Sequence, residues 1–253
     1  LRLSLTGPLE PDDPSDLLLK VITRRSMSLT ESMPHLSVLG VEVVDERPYS
    51  WDLRGTRVLV YDFGLQLPDD LAAAAARADV RRRLMDVFVA SWTGRCEADE
   101  LNRLVIAAGL GWRQVTWLRA ISRYLQQAGL TYSQPYLATA LNTYPDIAAG
   151  LVGEFTTRFD PDARLTREER DASQARQADW LGEQLDAVVS LDHDRILRAF
   201  HAVIEACVRT NAFTDTDTIA LKLLPSLLPL LPEPRPAFEV FVYSPRVQGV
   251  HLR

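Results

Sequence analysis

The sequence predicts an α+β protein that is mostly α: a small α/β sandwich head, an α-helical bundle, and a C-terminal strand. Three observations predict it. Residues 1–67 carry short alternating apolar runs separated by Gly, Pro and Asp, as half-buried strands do. From Pro68 the apolar period lengthens to that of a helix and keeps that period to about residue 212. The chain then crosses a proline-rich stretch into "FEVFVYS", which has apolar residues on both faces of a strand.

In the head, "LRLSL" alternates and reads as a short strand. "GPLEPDDPSD" is a loop by its Gly, Pro and Asp content. "LLLKVIT" (17–23) is a buried-strand candidate. Ser28 or Thr30 is placed to cap a helix over "LTESMPHLSVLG". Pro34 should delay that helix or kink it, and Gly40 suits the residue just past its end. "VEVVDERPY" (41–49) and "TRVLVYDFGLQL" (56–67) are two more strands, with Arg54-Gly55 in the turn between them.

The helical region opens with "DDLAAAAARADVRRRLMDVFVASW", which is Ala-rich with an acidic first turn. Leu101, Leu104, Val105 and Ala108 form the next stripe, which stops at Gly109 or Gly111. Trp117, Ile121, Tyr124, Leu125 and Ala128 form another, ended by Gly129. Ser133 caps a further helix, and Pro145 suits the first turn of the one after it. "TREE" at 166–169 is a capping box opening a charged helix. Ile196, Ala199, Phe200, Val203 and Cys207 line the last one. Residues 69–212 thus read as about seven helices with short connections. "LPSLLPLLPEPRP" (224–236) cannot continue a helix and reads as an extended linker.

Bulk properties exclude some classes. The formal net charge is −6, which argues against a general nucleic-acid binder. The two cysteines, Cys96 and Cys207, suggest neither a disulfide framework nor metal-ligand spacing, so the expected setting is reducing and cytoplasmic. The most apolar run, "IALKLLPSLLPLLP", carries Lys222 and three prolines and is too short and broken to span a bilayer. The chain opens on Leu rather than Met, and both ends read as cuts.

No catalytic constellation emerges from the residues. "GLGWRQ" (109–114) has two glycines of a dinucleotide fingerprint, but Gln114 stands at the third and a helix precedes it; it reads as a helix stop and start. His193, in "SLDHDRIL", reads as part of an acidic helix start capped by Ser190 or Asp192 rather than as a ligand. "TDTDT" (214–218) lacks the Gly and distal Glu of a calcium loop and reads as turn chemistry. No catalytic, cofactor-binding or metal-ligating residue is assigned.

Several stretches carry a resemblance. They are "LSVLGVEVVDERPY" (36–49), "YDFGLQL" (61–67), "NRLVIAAGLGWRQVTWLRAISRYLQQAGLTYSQPYLATAL" (102–141) and "LVGEFTTRFDP" (151–161). "SLDHDRILRAFHAVIEACVRTNAF" (190–213), "LPEPRPAFEVFVYSPRV" (231–247) and "GVHLR" (249–253) follow in the same order. Together they resemble the large multidomain bacterial NAD-specific glutamate dehydrogenases, from about residue 17 to the end. The resemblance implies a parent that oxidatively deaminates L-glutamate to 2-oxoglutarate and ammonia with NAD as cofactor. It also implies an ACT-like α+β unit over 1–67 and a helical bundle domain over 69–230. Residues 231–253 become a Pro-rich linker and the first strand of a catalytic domain that lies beyond the chain. The family's catalytic Lys, Asp and Rossmann domain fall after "GVHLR", and the only lysines here are Lys20 and Lys222.

Two functions of different class follow. The first is a non-catalytic structural and assembly segment, inactive alone, with the catalytic core of the same polypeptide as partner and a homo-oligomeric parent. Nucleic acid and membrane are not expected partners. The second is an amino-acid-sensing module, since ACT-like units bind amino acids. Its candidate effector residues are Arg47, Tyr49 and Trp51 in "ERPYSW", which combine a carboxylate-binding group with aromatics. Against it stands the pairing of Arg47 with Asp45, Glu46 or Asp62, with the aromatics packed on the helices. A generic helical interaction module is the reading that sets the resemblance aside.

Overall fold

The computed structural model of the chain describes residues 1–7, 16–75 and 77–253. The loop expected over 7–16 lies, apart from its two ends, outside the described residues. The chain divides into two compact units, Leu1–Trp112 and Arg113–Arg253.

The first unit runs β1 (Arg2–Thr6), β2 (Asp16–Thr23), α1 (Leu29–Ser37), β3 (Glu42–Leu53), β4 (Thr56–Gln66), α2 (Asp69–Ala75) and α3 (Ala78–Trp92). A 3-10 turn (Glu100–Arg103) and α4 (Leu104–Ala107) complete it. The strands form one antiparallel sheet in the order β1-β2-β4-β3. Leu17, Leu19 and Val21 of β2 lie opposite Leu65, Phe63 and Tyr61 of β4, and all six are buried. The alternate pair, Lys20 and Asp62, faces the other way, with Nζ donating to both carboxylate oxygens at 2.6 and 2.7 Å. One face is therefore apolar core, and the other carries this ion pair between Leu18, Ile22 and the buried Val60. The core decides stability: each buried side chain contributes ~1.5–3 kcal/mol, whereas a half-exposed ion pair gives about 1 kcal/mol at most.

Local rules fix the connections. Ser28 opens α1 with a capping box: its Oγ accepts from Glu31 N at 3.2 Å, and Glu31 Oε2 accepts from Ser28 N at 3.1 Å. Pro34 does not delay this helix, which starts at Leu29 and carries the proline inside it. Its ring removes one helical hydrogen bond, and the capping box holds the first turn regardless. Arg54 and Gly55 have φ of 53° and 78°, the left-handed pair that a two-residue hairpin turn requires. The helix expected over 69–92 is two helices, because Arg77 takes an extended backbone (φ −75°, ψ 131°) and starts α3 anew. His35 of α1 meets α3, its Nδ1 3.0 Å from Ser91 Oγ and its ring edge-on to Trp92. Burial there holds its pKa below the ordinary histidine range.

The second unit runs α5 (Trp112–Gln127, begun one residue before the division), α6 (Gln134–Thr143), α7 (Pro145–Phe159), α8 (Arg167–Asp186) and α9 (Leu191–Ala206). Then come β5 (Cys207–Thr210), β6 (Ile219–Leu223), β7 (Glu239–Ser244) and β8 (Val247–Leu252), an antiparallel sheet in sequence order. Ser133 and Thr166 cap α6 and α8 as expected, the latter through a capping box with Glu169.

The tail differs most from expectation. The last helix stops at Ala206, not near 212, and passes straight into β5. "IALKL", expected to lead the proline-rich run, is β6. "FEVFVYS" has a sheet to join, for β7 pairs with β6 on one side and β8 on the other. Its inner face is Glu239, Phe241 and Tyr243, set opposite Leu223, Leu221 and Ile219. Phe238, on the other side, lies under the Lys222 ammonium, 3.9 Å from the ring centroid. The prolines of 224–236 thus form a long connection between neighbouring strands.

The compact units do not divide where the sequence pattern divides, at 67–69. The first unit keeps α3 and α4 because they pack on its own elements: α3 meets His35 of α1 through Ser91 and Trp92, its Arg81 Nη1 donates to Gly7 O at 2.7 Å, and α4 packs on α2 and α3. In the second unit, Gly150 of α7 lies against Trp180 of α8, where an added Cβ would meet the ring at 2.3 Å. Gly150→Ala should therefore destabilise the chain by about 1–3 kcal/mol through overpacking, although alanine favours a helix by ~1 kcal/mol. In a Trp180→Ala background the same change should become stabilising. Urea unfolding of the four proteins checks this sign reversal.

Candidate functional site

The predicted effector residues lie along one face of β3, at alternate positions. Arg47 Nη2 is 2.7 Å from Asp45 Oδ2, so its guanidinium is already paired with the carboxylate two residues back. A bulge between Val43 and Asp45 turns Asp45 over β4, where its Oδ1 accepts from Gly64 N at 3.1 Å. Tyr49 and Trp51 stack at 6.1 Å, nearly parallel, and both stay exposed, at 44% and 55%. Residues 51–58 extend past the last β2 pair, Thr23↔Leu59, as a two-stranded arm. Structure thus brings the two aromatics together and commits Arg47 elsewhere.

A second constellation holds the second unit together. Tyr124 of α5 donates its hydroxyl to Glu239 Oε2 of β7 at 2.6 Å, both residues buried. Burial first, then the hydrogen bond and charge of Glu239, hold the phenol protonated well above the usual tyrosine range. Arg158 of α7 caps the end of α9: Nη1 donates to Ile204 O at 2.9 Å, and Nη2 to Glu205 O at 3.1 Å and Cys207 O at 3.2 Å. Carbonyls at a helix C-terminus run short of backbone donors, Ile204 O having only the Cys207 N–H of the cap, and a cation there also suits the helix dipole. Beside it, Glu154 is buried, 3.2 Å from His201 Nε2 and 3.8 Å from Arg158 Nη1. The Glu154–His201 approach is a charge contact whose angles fall outside those of a hydrogen bond. Burial opposes charge on His201, but Glu154, with Glu205, outweighs it and raises the pKa. Cys207 follows directly, its thiol pushed up to about 11 by burial, which keeps it unreactive.

The remaining sequence candidates resolve into structure. His193 N donates to Ser190 Oγ at 3.4 Å, and the imidazole sits between Tyr136 and Tyr144. In the "TDTDT" turn, Asn211 Nδ2 donates to Thr218 O at 2.9 Å and Ala220 N to Asn211 Oδ1 at 2.7 Å. Arg113 pairs with Asp215 and donates to Thr216 O at 3.1 Å. The "GLGWRQ" glycines lead from α4 into α5, with no strand before them, and both sheets are antiparallel. These residues do not fit a dinucleotide, whose pyrophosphate needs a strand–turn–helix of parallel sheet. Among the described residues no cluster of His, Cys, Asp and Glu is placed to hold a metal ion, and no helix is long and apolar enough to cross a membrane.

The order of parts defines a class. Residues 1–80 match the glutamate dehydrogenase ACT3 domain and residues 96–161 match glutamate dehydrogenase helical motif 3. Residues 180–253 match the bacterial NAD-glutamate dehydrogenase catalytic domain. The chain belongs to the NAD-specific glutamate dehydrogenase family, as one segment of its length. It is 43% identical over 240 residues to the NAD-specific glutamate dehydrogenase of Mycobacterium tuberculosis. Identity is 36% over 260 residues to that of Halomonas elongata and 38% over 234 to that of Pseudomonas aeruginosa. These alignments take in 90%, 100% and 90% of this chain but only 15%, 16% and 14% of the relatives' length.

The catalytic-domain match begins at 180, inside α8, so α9 and the whole second sheet fall within it. Tyr124–Glu239, Arg158–α9 and Glu154–His201 then each join a helical-motif residue to a catalytic-domain residue. The sequence hinted at this only through Tyr124 lying on an apolar stripe; nothing marked Glu239 as its partner.

Two outcomes follow. Tyr124→Phe leaves the buried Glu239 carboxylate without its donor and should cost about 1–3 kcal/mol, read by urea unfolding; no loss would contradict the contact. A raised folded-state pKa means that His201 stabilises fully below the ordinary histidine range and loses that contribution as pH rises through the folded value. The stability gap between the natural chain and His201→Gln should therefore be largest below the ordinary histidine value and shrink as pH rises through and above it. Comparing with the variant at each pH cancels His35, whose lowered pKa acts in the opposite sense.

Proposed function

We propose that this chain is a structural and assembly segment of an NAD-specific glutamate dehydrogenase, binding the start of the catalytic domain to the helical region. The observation that supports it most is the set of buried polar contacts across that junction, Tyr124–Glu239 and Arg158–α9 above all. Buried polar groups of this kind fix one arrangement of the elements they join, because any other leaves them unpaired.

On this reading the whole polypeptide is a cytoplasmic homo-oligomer. It converts L-glutamate, NAD and water to 2-oxoglutarate, ammonia and NADH with residues outside this chain. The helical region then acts on catalysis only by holding the first sheet of the catalytic domain in place.

The purified 253-residue chain should form no NADH from glutamate and NAD in a spectrophotometric assay. In the full-length enzyme, Arg158→Met should lower the melting temperature and the oligomer fraction while leaving KM for glutamate and NAD unchanged. A changed KM at unchanged stability would contradict a structural role.

A further inference from the structure

The first unit holds a concave site whose lining does not include Arg47. It is a pocket of about 430 Å³ lined by Arg24, Ser26, Pro48, Tyr49, Ser50, Arg57, Leu59 and Tyr61. Three pieces of chain form it: the β2–α1 connection, the base of the β3–β4 arm, and β4. The register explains the convergence. Ser50 lies opposite Leu59 and Pro48 opposite Tyr61, so this end of the hairpin turns one face toward residues 24–26. Tyr61 Oη accepts from Met27 N at 3.0 Å, which ties the connection down onto β4. Thr23 Oγ1 accepts from Arg25 N at 3.1 Å and fixes the bend in which Arg24 sits.

The charges of this pocket are one-sided. Its ionisable lining, apart from the two tyrosines, is Arg24 and Arg57, and no carboxylate lines it. Neighbouring arginines are engaged: Arg25 lies 3.8 Å from Glu31, and Arg47 pairs with Asp45. Arg24 and Arg57 make no ion pair among the described residues. Two exposed guanidinium groups with unused donors and two serine hydroxyls make an arrangement that recognises an oxyanion. Repulsion between the arginines falls when an anion lies between them.

The geometry points to an anion-binding site here, for a small organic anion whose phosphate or carboxylate group is shared by Arg24 and Arg57. It borders the "ERPYSW" stretch at Ser50 but takes its cations from elsewhere in the chain. It does not depend on the structural role proposed above, whose contacts all lie in the second unit.

The test is isothermal titration calorimetry of the 253-residue chain with inorganic phosphate and, separately, succinate, at constant ionic strength set by sodium chloride. Saturable binding of at least one is expected, and the preferred probe tells phosphate from carboxylate. Arg24→Gln with Arg57→Gln should weaken it by about tenfold or more, as loss of charge-assisted hydrogen bonds does. Arg47→Gln should leave it within about twofold, because Arg47 is outside the pocket. Ser50→Glu places a carboxylate inside and should abolish binding without removing either arginine, which keeps the test valid should the double variant fail to fold. Absence of binding by both probes, binding that survives the substitutions, or an equal loss in Arg47→Gln would overturn the assignment.

Discussion

The second unit depends on how α9 ends. Four backbone carbonyls at a helix C-terminus lack partners, and a loop or glycine normally follows to meet them. Here β5 begins at the next residue, Cys207. Arg158, reaching across from α7, takes the carbonyls of Ile204, Glu205 and Cys207 instead. Because a guanidinium is planar and always charged, it can serve three acceptors at once where a lysine would serve them poorly. The helix can therefore run straight into a strand, and that strand sets the edge from which β6, β7 and β8 are built. Leu224 N donating to Ala206 O at 2.9 Å returns the end of β6 to the same point.

Around this junction the two buried carboxylates, Glu239 and Glu154, each lie against a group that offsets their charge or donates to them. Glu239 would be a costly residue on the inner face of β7 were Tyr124 not there to donate to it. Glu154 is tolerable in α7 because Arg158 and His201 flank it. Apolar packing supplies most of the free energy: Tyr124 meets Phe241 edge-on at 5.5 Å, and Trp117 lies 5.2 Å from Phe155 and 5.0 Å from Phe213. The polar pairs select which packing is allowed. On the structural role proposed above, the segment needs this selectivity more than added stability.

Local chemistry was readable in the sequence where a rule spans a few residues. Thr166 with Glu169, Ser133 and the Arg54-Gly55 turn appear where their spacing places them, and of the two cap candidates Ser28 and Thr30 it is Ser28 that opens α1. What depended on distant partners was not readable. Cys207 continues the stripe of Ile196, Phe200 and Val203, so periodicity alone carries the helix past its end. "IALKL" is five residues of alternating burial, too short to tell from a proline-broken coil until β7 lies beside it. The same holds for the sites. Arg47 shares a strand face with Tyr49 and Trp51, but so does Asp45, which is nearer to it. Arg24 and Arg57 have no sequence relation, and only the hairpin register brings them to one pocket.

The central claim is that the helical region and the sheet that follows it unfold as one body. Native-state hydrogen exchange of the chain measures this directly, by comparing amides of α5 and α7, such as Ile121 and Leu151, with those of β6 and β7, such as Leu221 and Phe241. The account predicts a common opening free energy for the two groups, equal to that of unfolding the second unit. Exchange of the β6 and β7 amides through a separate, lower-energy opening, with α5 and α7 still protected, would contradict it.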